Sequence, residues 1–234
     1  MVESAEFKGT WTGGDVLLLA KNDSWCDQAV TLSRIAFGDR LIVHQGMAND
    51  PLPAIIPNRW FALLSYRSPW VIPADLLSRS EVAINFHPGS CDYPGYGCYS
   101  FAIHERAAEY GCVCHHMAST VDTGAVIEER RFRTIEHETV ETLKLRTYIV
   151  LQALFQDILF QLARGESLPQ SQHGWSRRPF TRRQYQQLAT VSAGMSDEEV
   201  RLRVRATTYP GEGARIILGG IEFRSEVPSR PPIA

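Results

Sequence analysis

The sequence predicts an α/β fold with a mainly parallel sheet, followed by a small helix-and-hairpin extension. Three observations carry this. Apolar runs of strand length recur along the first half: DVLLLA at 15–20, RLIVH at 40–44, WFALLS at 60–65 and VAINF at 82–86. Helix signals fall between them, and that alternation is the pattern of parallel strands joined by crossovers. The 234 residues are 44% hydrophobic and 21% charged, enough apolar material for a large core.

Each element has a local reason. The first run ends at Lys21-Asn22-Asp23-Ser24, which reads as the cap of a helix from Trp25 to about Phe37. Such a cluster at a helix start is also placed to meet a phosphate. Residues 46–59 are Pro-rich and irregular, and Pro73 introduces a short helix near 74–78. After the fourth strand the spacing predicts a helix near 100–110, then strands at 112–117 and 125–132. A long helix from about Thr139 to Ala163 follows from helical recurrence of Val140, Leu143, Leu151, Leu154, Phe155, Ile158, Leu159 and Leu162, with Gly165 as its stop. Residues 166–181 read as an Arg/Pro linker. A helix at 197–206 and a hairpin at 214–223, turning at Gly219-Gly220, come next, and SEVPSRPPIA reads as a frayed tail.

The net charge of -2 gives no global argument for nucleic acid. Residues 164–234 carry 11 Lys/Arg against 7 Asp/Glu, a mildly basic balance that suits an anionic ligand or a solvated surface. Cysteines stand at 26, 91, 98, 112 and 114, with no apolar leader and no membrane-length run. The expectation is a cytoplasmic protein with reduced thiols and no membrane partner. CVCHH at 112–116 invites a metal reading, but strand alternation splits His115 from Cys112, Cys114 and His116. No metal is expected, and both cysteines are expected in the core.

Asn85 and His87 lie two apart at the end of the fourth strand, on one face. Ligands of parallel α/β sheets bind at strand carboxyl ends. A neutral His accepts a proton, and an amide donates to a developing oxyanion. Asp122, in the VDTG turn, is the candidate carboxylate partner. The residues alone leave a structural role open.

INFHPG at 84–89 and GCVCHHMASTVDTGAVI at 111–127 resemble the formyl-tetrahydrofolate-dependent formyltransferases. That family carries Asn-x-His-Pro at a strand end and, about 35 residues on, an Asp-x-Gly turn with a His seven residues before it. Here the intervals are 35 from His87 to Asp122 and 7 from His115 to Asp122. The likeness covers roughly residues 60–165, and the N-terminal strands only as a pattern.

The resemblance implies a Rossmann-like formyltransferase core over 1–165 and an extension over 166–234. It implies acyl transfer from 10-formyltetrahydrofolate without a covalent enzyme intermediate. His87 would serve as base, Asn85 as oxyanion donor and Asp122 as the group that holds and balances His87. It places the folate near Trp70, Val71, Ile72, His115, Thr120 and Val121. WSRRP at 175–179 and RVRATTYPGEGARI at 203–216 resemble segments after the core in sugar-nucleotide and tRNA formyltransferases, the 4-amino-arabinose enzyme among them. The chain's stop at Ala234 and its weak basic charge argue against tRNA, so a nucleotide-linked amino sugar is the expected acceptor. Tyr209 is a candidate to stack on a base, Arg203 and Arg205 to meet phosphates, and Tyr93 and Tyr96 to face substrate.

The alternatives are another small amine, such as an amino acid side chain or glycinamide ribonucleotide, and a folate- or nucleotide-binding module without catalysis. Relatives are often dimers through the C-terminal part, so a homodimer is one expectation. Two departures stand out. Gly97 occupies the place of a basic residue in Pro94-Gly95-Tyr96-Gly97-Cys98, and Lys21–Ser24 replaces a Gly-rich turn.

Overall fold

The computed structural model describes residues 13–54 and 59–226. The N-terminal 12 residues, 55–58 of the Pro-rich stretch and 227–234 of the expected tail lie outside them. One sheet has strands β1 (Val16–Lys21), β2 (Leu41–Gly46), β3 (Trp60–Tyr66), β4 (Ser80–His87), β5 (Glu109–His116) and β6 (Val126–Arg133). Their order is β2-β1-β3-β4-β5-β6; the first four run parallel, and β5 and β6 are antiparallel to their neighbours. Helices α1 (Ser24–Phe37), α2 (Ala74–Leu77), α3 (Cys98–His104) and α4 (Val140–Ala163) complete the core. Helices α5 (Arg182–Leu188) and α6 (Asp197–Thr207) and the hairpin strands β7 (Arg215–Leu218) and β8 (Ile221–Arg224) follow.

Period-two alternation sorts the side chains. Val16, Leu18 and Ala20 of β1 and Val82, Ile84 and Phe86 of β4 pack under α1 and α4. Leu17 and Leu19 face the opposite layer with Trp60, Leu63, Ile72 and Leu76. Because β1 is covered on both faces, its residues 16–20 are continuously apolar. Phe155 of α4 sits edge-on to Tyr66 and Phe86, with ring centroids 4.7 and 4.8 Å away. Cys112 and Cys114 belong to this same core, fully buried. Burial holds the Cys112 thiol up to about 12 and pushes Cys114 well above its ordinary value, so neither is a ready thiolate. All five cysteines are free and buried.

Two boundaries differ from expectation. Helix α3 runs only from Cys98 to His104, and Tyr110 is already a fully buried member of β5. Helix α5 lies just beyond the expected linker. Its capping box, Thr181 with Gln184, is a sequence signal that the Arg/Pro richness obscured. Lys21–Ser24 acts as a cap: Asp23 accepts from the Cys26 amide and takes both Arg67 Nη atoms at 3.0 and 2.8 Å. That carboxylate already satisfies the helix N-terminus. No described helix is long and apolar enough to cross a membrane.

Candidate active site

The buried alternation of β4 fixes the site. With Ile84 and Phe86 turned under α4, Asn85 and His87 must face the other layer. Antiparallel pairing then sets His115 of β5 directly opposite Asn85. A register shift between Cys114 and His115 marks the bulge beside the site. The turn after β5 brings in Asp122, which sits at φ 50 in the left-handed region and is only 4% exposed. Gly124 makes this turn possible, because a Cβ there would stand 1.8 Å from the His116 carbonyl oxygen.

Four side chains meet here. Asp122 Oδ2 lies 3.2 Å from His87 Nδ1 and accepts from the Gly95 amide at 2.8 Å. Asp122 Oδ1 lies 3.3 Å from His115 Nε2 and 3.4 Å from Asn85 Nδ2. Burial pushes the Asp122 pKa up, but the charge of His87, the hydrogen bond and charge of His115 and the Gly95 N–H outweigh it. The carboxyl is held well below its usual range. It is a buried anion at neutral pH.

The two imidazoles differ in their partners. His87 Nε2 is 3.0 Å from the Tyr93 carbonyl while its Nδ1 faces the carboxylate. Both neighbours are acceptors, so a neutral ring satisfies one contact and an imidazolium satisfies both. His115 Nδ1 is 2.8 Å from the His116 carbonyl, and its Nε2 is 3.1 Å from Asn85 Nδ2. A neutral His115 donates through Nδ1 and accepts at Nε2. The chain passes His87 closely because residue 89 is Gly: a Cβ there would stand 2.5 Å from His87 Nε2.

This cluster opens onto a cavity of about 220 Å³. Trp70, Val71, Ile72, Thr120 and Val121 line it with Asn85, His87, His115 and Asp122. Val71 and Val121 are exposed, Ile72 is packed into the core, and Trp70 donates its Nε1–H toward the Asp50 and Pro51 carbonyls at 3.0 and 3.1 Å.

Residues 68–157 match a family model described as formyl transferase. That span contains Asn85, His87, His115 and Asp122.

Solved formyltransferases share the fold of nearly the whole chain. A sugar N-formyltransferase from Shewanella sp. FDAARGOS_354 superposes with TM-score 0.75 at 15% identity, covering 91% of this chain and 97% of that one. A Helicobacter canadensis N-formyltransferase, in complex with folinic acid and dTDP-3-aminofucose, gives 0.64 at 16%, covering 81% and 79%. A methionyl-tRNA formyltransferase from Clostridium thermocellum gives 0.62 at 17%, covering 93% and 94%.

Outside the formyltransferase segment, the C-terminal residues divide. Tyr209 is linked to the loop after β4: its hydroxyl is 3.4 Å from that of Tyr185, whose ring meets Tyr96 edge-on at 5.2 Å. Lys144 Nζ lies 5.1 Å from the Tyr209 ring centroid. Arg205 is elsewhere. It lines a separate cleft of about 850 Å³ between α3, β6 and α6, and its Nη1 donates to the Glu136 carbonyl at 3.2 Å. Arg203 is committed to Glu199 and to carbonyls at the end of α5. The Tyr93 ring is buried against Tyr110 and Phe180, and only its backbone carbonyl reaches His87.

The structure adds cations that sequence reading passed over. Arg67, at φ 51, lays its guanidinium 3.8 Å from the Tyr148 ring centroid. Burial, then Lys21 and Arg67, depress the Lys144 ammonium, and no described carboxylate stands within ion-pair distance of it.

Proposed function

We propose that this formyltransferase moves the formyl group of 10-formyltetrahydrofolate to the amine of a nucleotide-linked amino sugar. The observation that carries the reading is the buried Asn85–His87–His115–Asp122 cluster on a cavity at the carboxyl end of β4, inside the formyl transferase segment. The same fold in the Helicobacter protein, bound to folinic acid and an amino-sugar nucleotide, supports both substrates. Among the described residues no group of His, Cys, Asp and Glu is placed to hold a metal.

Each residue has a task in that reaction. The acceptor amine attacks the formyl carbon and negative charge develops on the formyl oxygen; collapse then breaks the bond from that carbon to N10, which takes up the proton the amine gives up and leaves as tetrahydrofolate. Asn85 gives that oxygen the N–H of its longer contact, the 3.4 Å one to Asp122. His87 Nε2 is the atom that exchanges a proton with the reacting groups, once it leaves the Tyr93 carbonyl. Asp122 keeps Nδ1 directed inward and balances the charged ring. His115 accepts the Asn85 amide N–H at Nε2 and so fixes the orientation of that amide. The pterin of the folate lies along Trp70–Ile72 and Thr120–Val121, recognised through exposed backbone.

The acceptor's anionic carrier is met by Lys144, Lys21 and Arg67. They gather three positive charges beside the carboxylates of Asp23 and Glu141. Tyr209 and Tyr96 supply aromatic surface beside them. This replaces Arg205 and Arg203 as the phosphate-facing cations. Residues 166–234 serve as an appendage to the catalytic part, and the exposed Ile217, Leu218, Ile221 and Phe223 of its hairpin suit pairing with a second copy.

The test is formylation of amino-sugar nucleotides by wild type and His87→Ala. Undiminished activity in the variant contradicts the assignment. Thermal stabilisation by deoxythymidine, uridine or guanosine diphosphate separates sugar nucleotides from other small amines as acceptors.

A further inference from the structure

The cavity accounts for one side of the two histidines; the other is covered from the C-terminal part of the chain. Trp175 meets His87 and His115 edge-on, with ring centroids 5.9 and 5.0 Å away. Its Nε1–H donates to the Gly124 carbonyl at 2.8 Å, tying the indole to the turn that carries Asp122. It packs on Cys91, Val113 and Val126. The chain beyond it laces onto the loop after β4. Ser176 N donates to the Cys91 carbonyl at 3.1 Å, Phe180 N to the Pro94 carbonyl at 2.9 Å, and Tyr96 N to the Phe180 carbonyl at 2.9 Å. That loop supplies two backbone groups of the cluster, the Tyr93 carbonyl on His87 and the Gly95 amide on Asp122; the His116 carbonyl on His115 comes from β5.

We propose that Trp175 is a positioning residue for formyl transfer: it fixes the ring orientations of His87 and His115 against Asp122 and closes that side to water. The proposal rests on the reading of His87 and Asp122 as the catalytic pair. Once His87 Nε2 leaves the Tyr93 carbonyl, the ring is held at Nδ1 alone and can swing about its Cβ–Cγ bond, which exchanges the edge that faces the carboxylate. The indole stands edge-on against both rings. Because the indole is anchored to Gly124 rather than to either histidine, it holds both rings without competing for their nitrogens.

Trp175→Leu removes the ring and keeps apolar volume; Trp175→Phe keeps a six-membered aromatic ring and loses the bond to Gly124 with the five-membered ring that makes it. Trp175→Leu is expected to lower kcat roughly 10- to 100-fold with KM for both substrates within about threefold, as misplacement of a catalytic group does. It is also expected to move a limb of the kcat pH profile and to shift the imidazole ¹⁵N signals of His87. Trp175→Phe is expected to recover most of the rate. Wild-type kcat and pH profile in Trp175→Leu overturn the proposal. So do equal losses in both variants with unchanged histidine signals, which mark a purely structural role.

Should Trp175→Leu fail to fold, the indole N–H resonance, assigned by its loss in Trp175→Phe, decides. It is expected to move when His87 is replaced by Asn, and a fixed resonance refutes the contact. A wild-type protein without formyl transfer to any amine defeats the catalytic reading and leaves this spectroscopic outcome standing, so the two failures are distinguishable.

Discussion

Replacing Asp122 by Asn tests the cluster at its centre. The change keeps the shape of the side chain and removes its charge. In the wild type the carboxylate accepts from Gly95 at 2.8 Å and faces His87 and His115 at 3.2 and 3.3 Å, at 4% exposure. An asparagine retains the Gly95 contact through its carbonyl but turns an NH₂ toward one imidazole. Charged hydrogen bonds contribute about 1.5–3 kcal/mol each, and breaking one partner of a buried ion pair costs about 3–5 kcal/mol. A loss of about 3 kcal/mol at pH 7 is therefore expected in urea unfolding.

The pH dependence follows from the direction of the Asp122 shift. Its folded pKa is depressed, so its stabilisation is complete above the ordinary carboxylate pKa and is lost as pH falls through the folded value. The wild type's advantage over Asp122→Asn is thus expected to be constant from about pH 5 to neutrality and to shrink below about pH 4. The rate should fall by roughly 10²- to 10⁴-fold, the range for losing an oriented acid–base group. A variant with kcat within threefold of wild type, or an advantage that grows as pH falls, refutes the reasoning.

Three further outcomes follow. Lys144→Ala should raise KM for the acceptor about 10- to 100-fold with kcat little changed, while Arg205→Ala leaves both within about twofold; steady-state kinetics with each substrate varied decides this. Gly89→Ala should abolish measurable turnover and cost about 1–3 kcal/mol, since its Cβ would stand 2.5 Å from His87 Nε2 and 2.8 Å from the Tyr93 carbonyl oxygen; urea unfolding read beside activity separates the two effects. Phe223→Asp should shift light-scattering mass from dimer to monomer without changing kcat, and an unchanged mass contradicts pairing through the hairpin.

Much of the candidate site's placement in the sheet was legible because its logic is local. A continuous apolar run signalled the doubly covered β1, and a two-residue spacing put Asn85 and His87 on one face of β4. The 35-residue interval to Asp122 was readable because β5 and its turn are of ordinary length. The antiparallel direction of β5 was not, since a crossover and a return look alike in an apolar run.

The placement of the C-terminal residues is set by tertiary structure. Arg203 and Arg205 stand close to Tyr209 in sequence, but α6 directs one to carbonyls at the end of α5 and the other into a different cleft. Lys144 sits on a long helix whose polar side reads as solvated, and only the approach of Tyr209 reveals it. Trp175 entered only as part of the WSRRP likeness, because an aromatic in an Arg/Pro linker has no periodicity that would give it a place. Its place depends on contacts with residues some 50 to 90 positions earlier.

The central claim is that His87, held by Asp122, moves a formyl group onto the amine of a nucleotide-linked sugar. The most direct measurement is mass spectrometry of amino-sugar nucleotides incubated with 10-formyltetrahydrofolate and either wild type or His87→Asn. The account predicts a product heavier by one carbonyl unit with the wild type and none above background with the variant. Equal product from both, or product only from amines that carry no nucleotide, would contradict it.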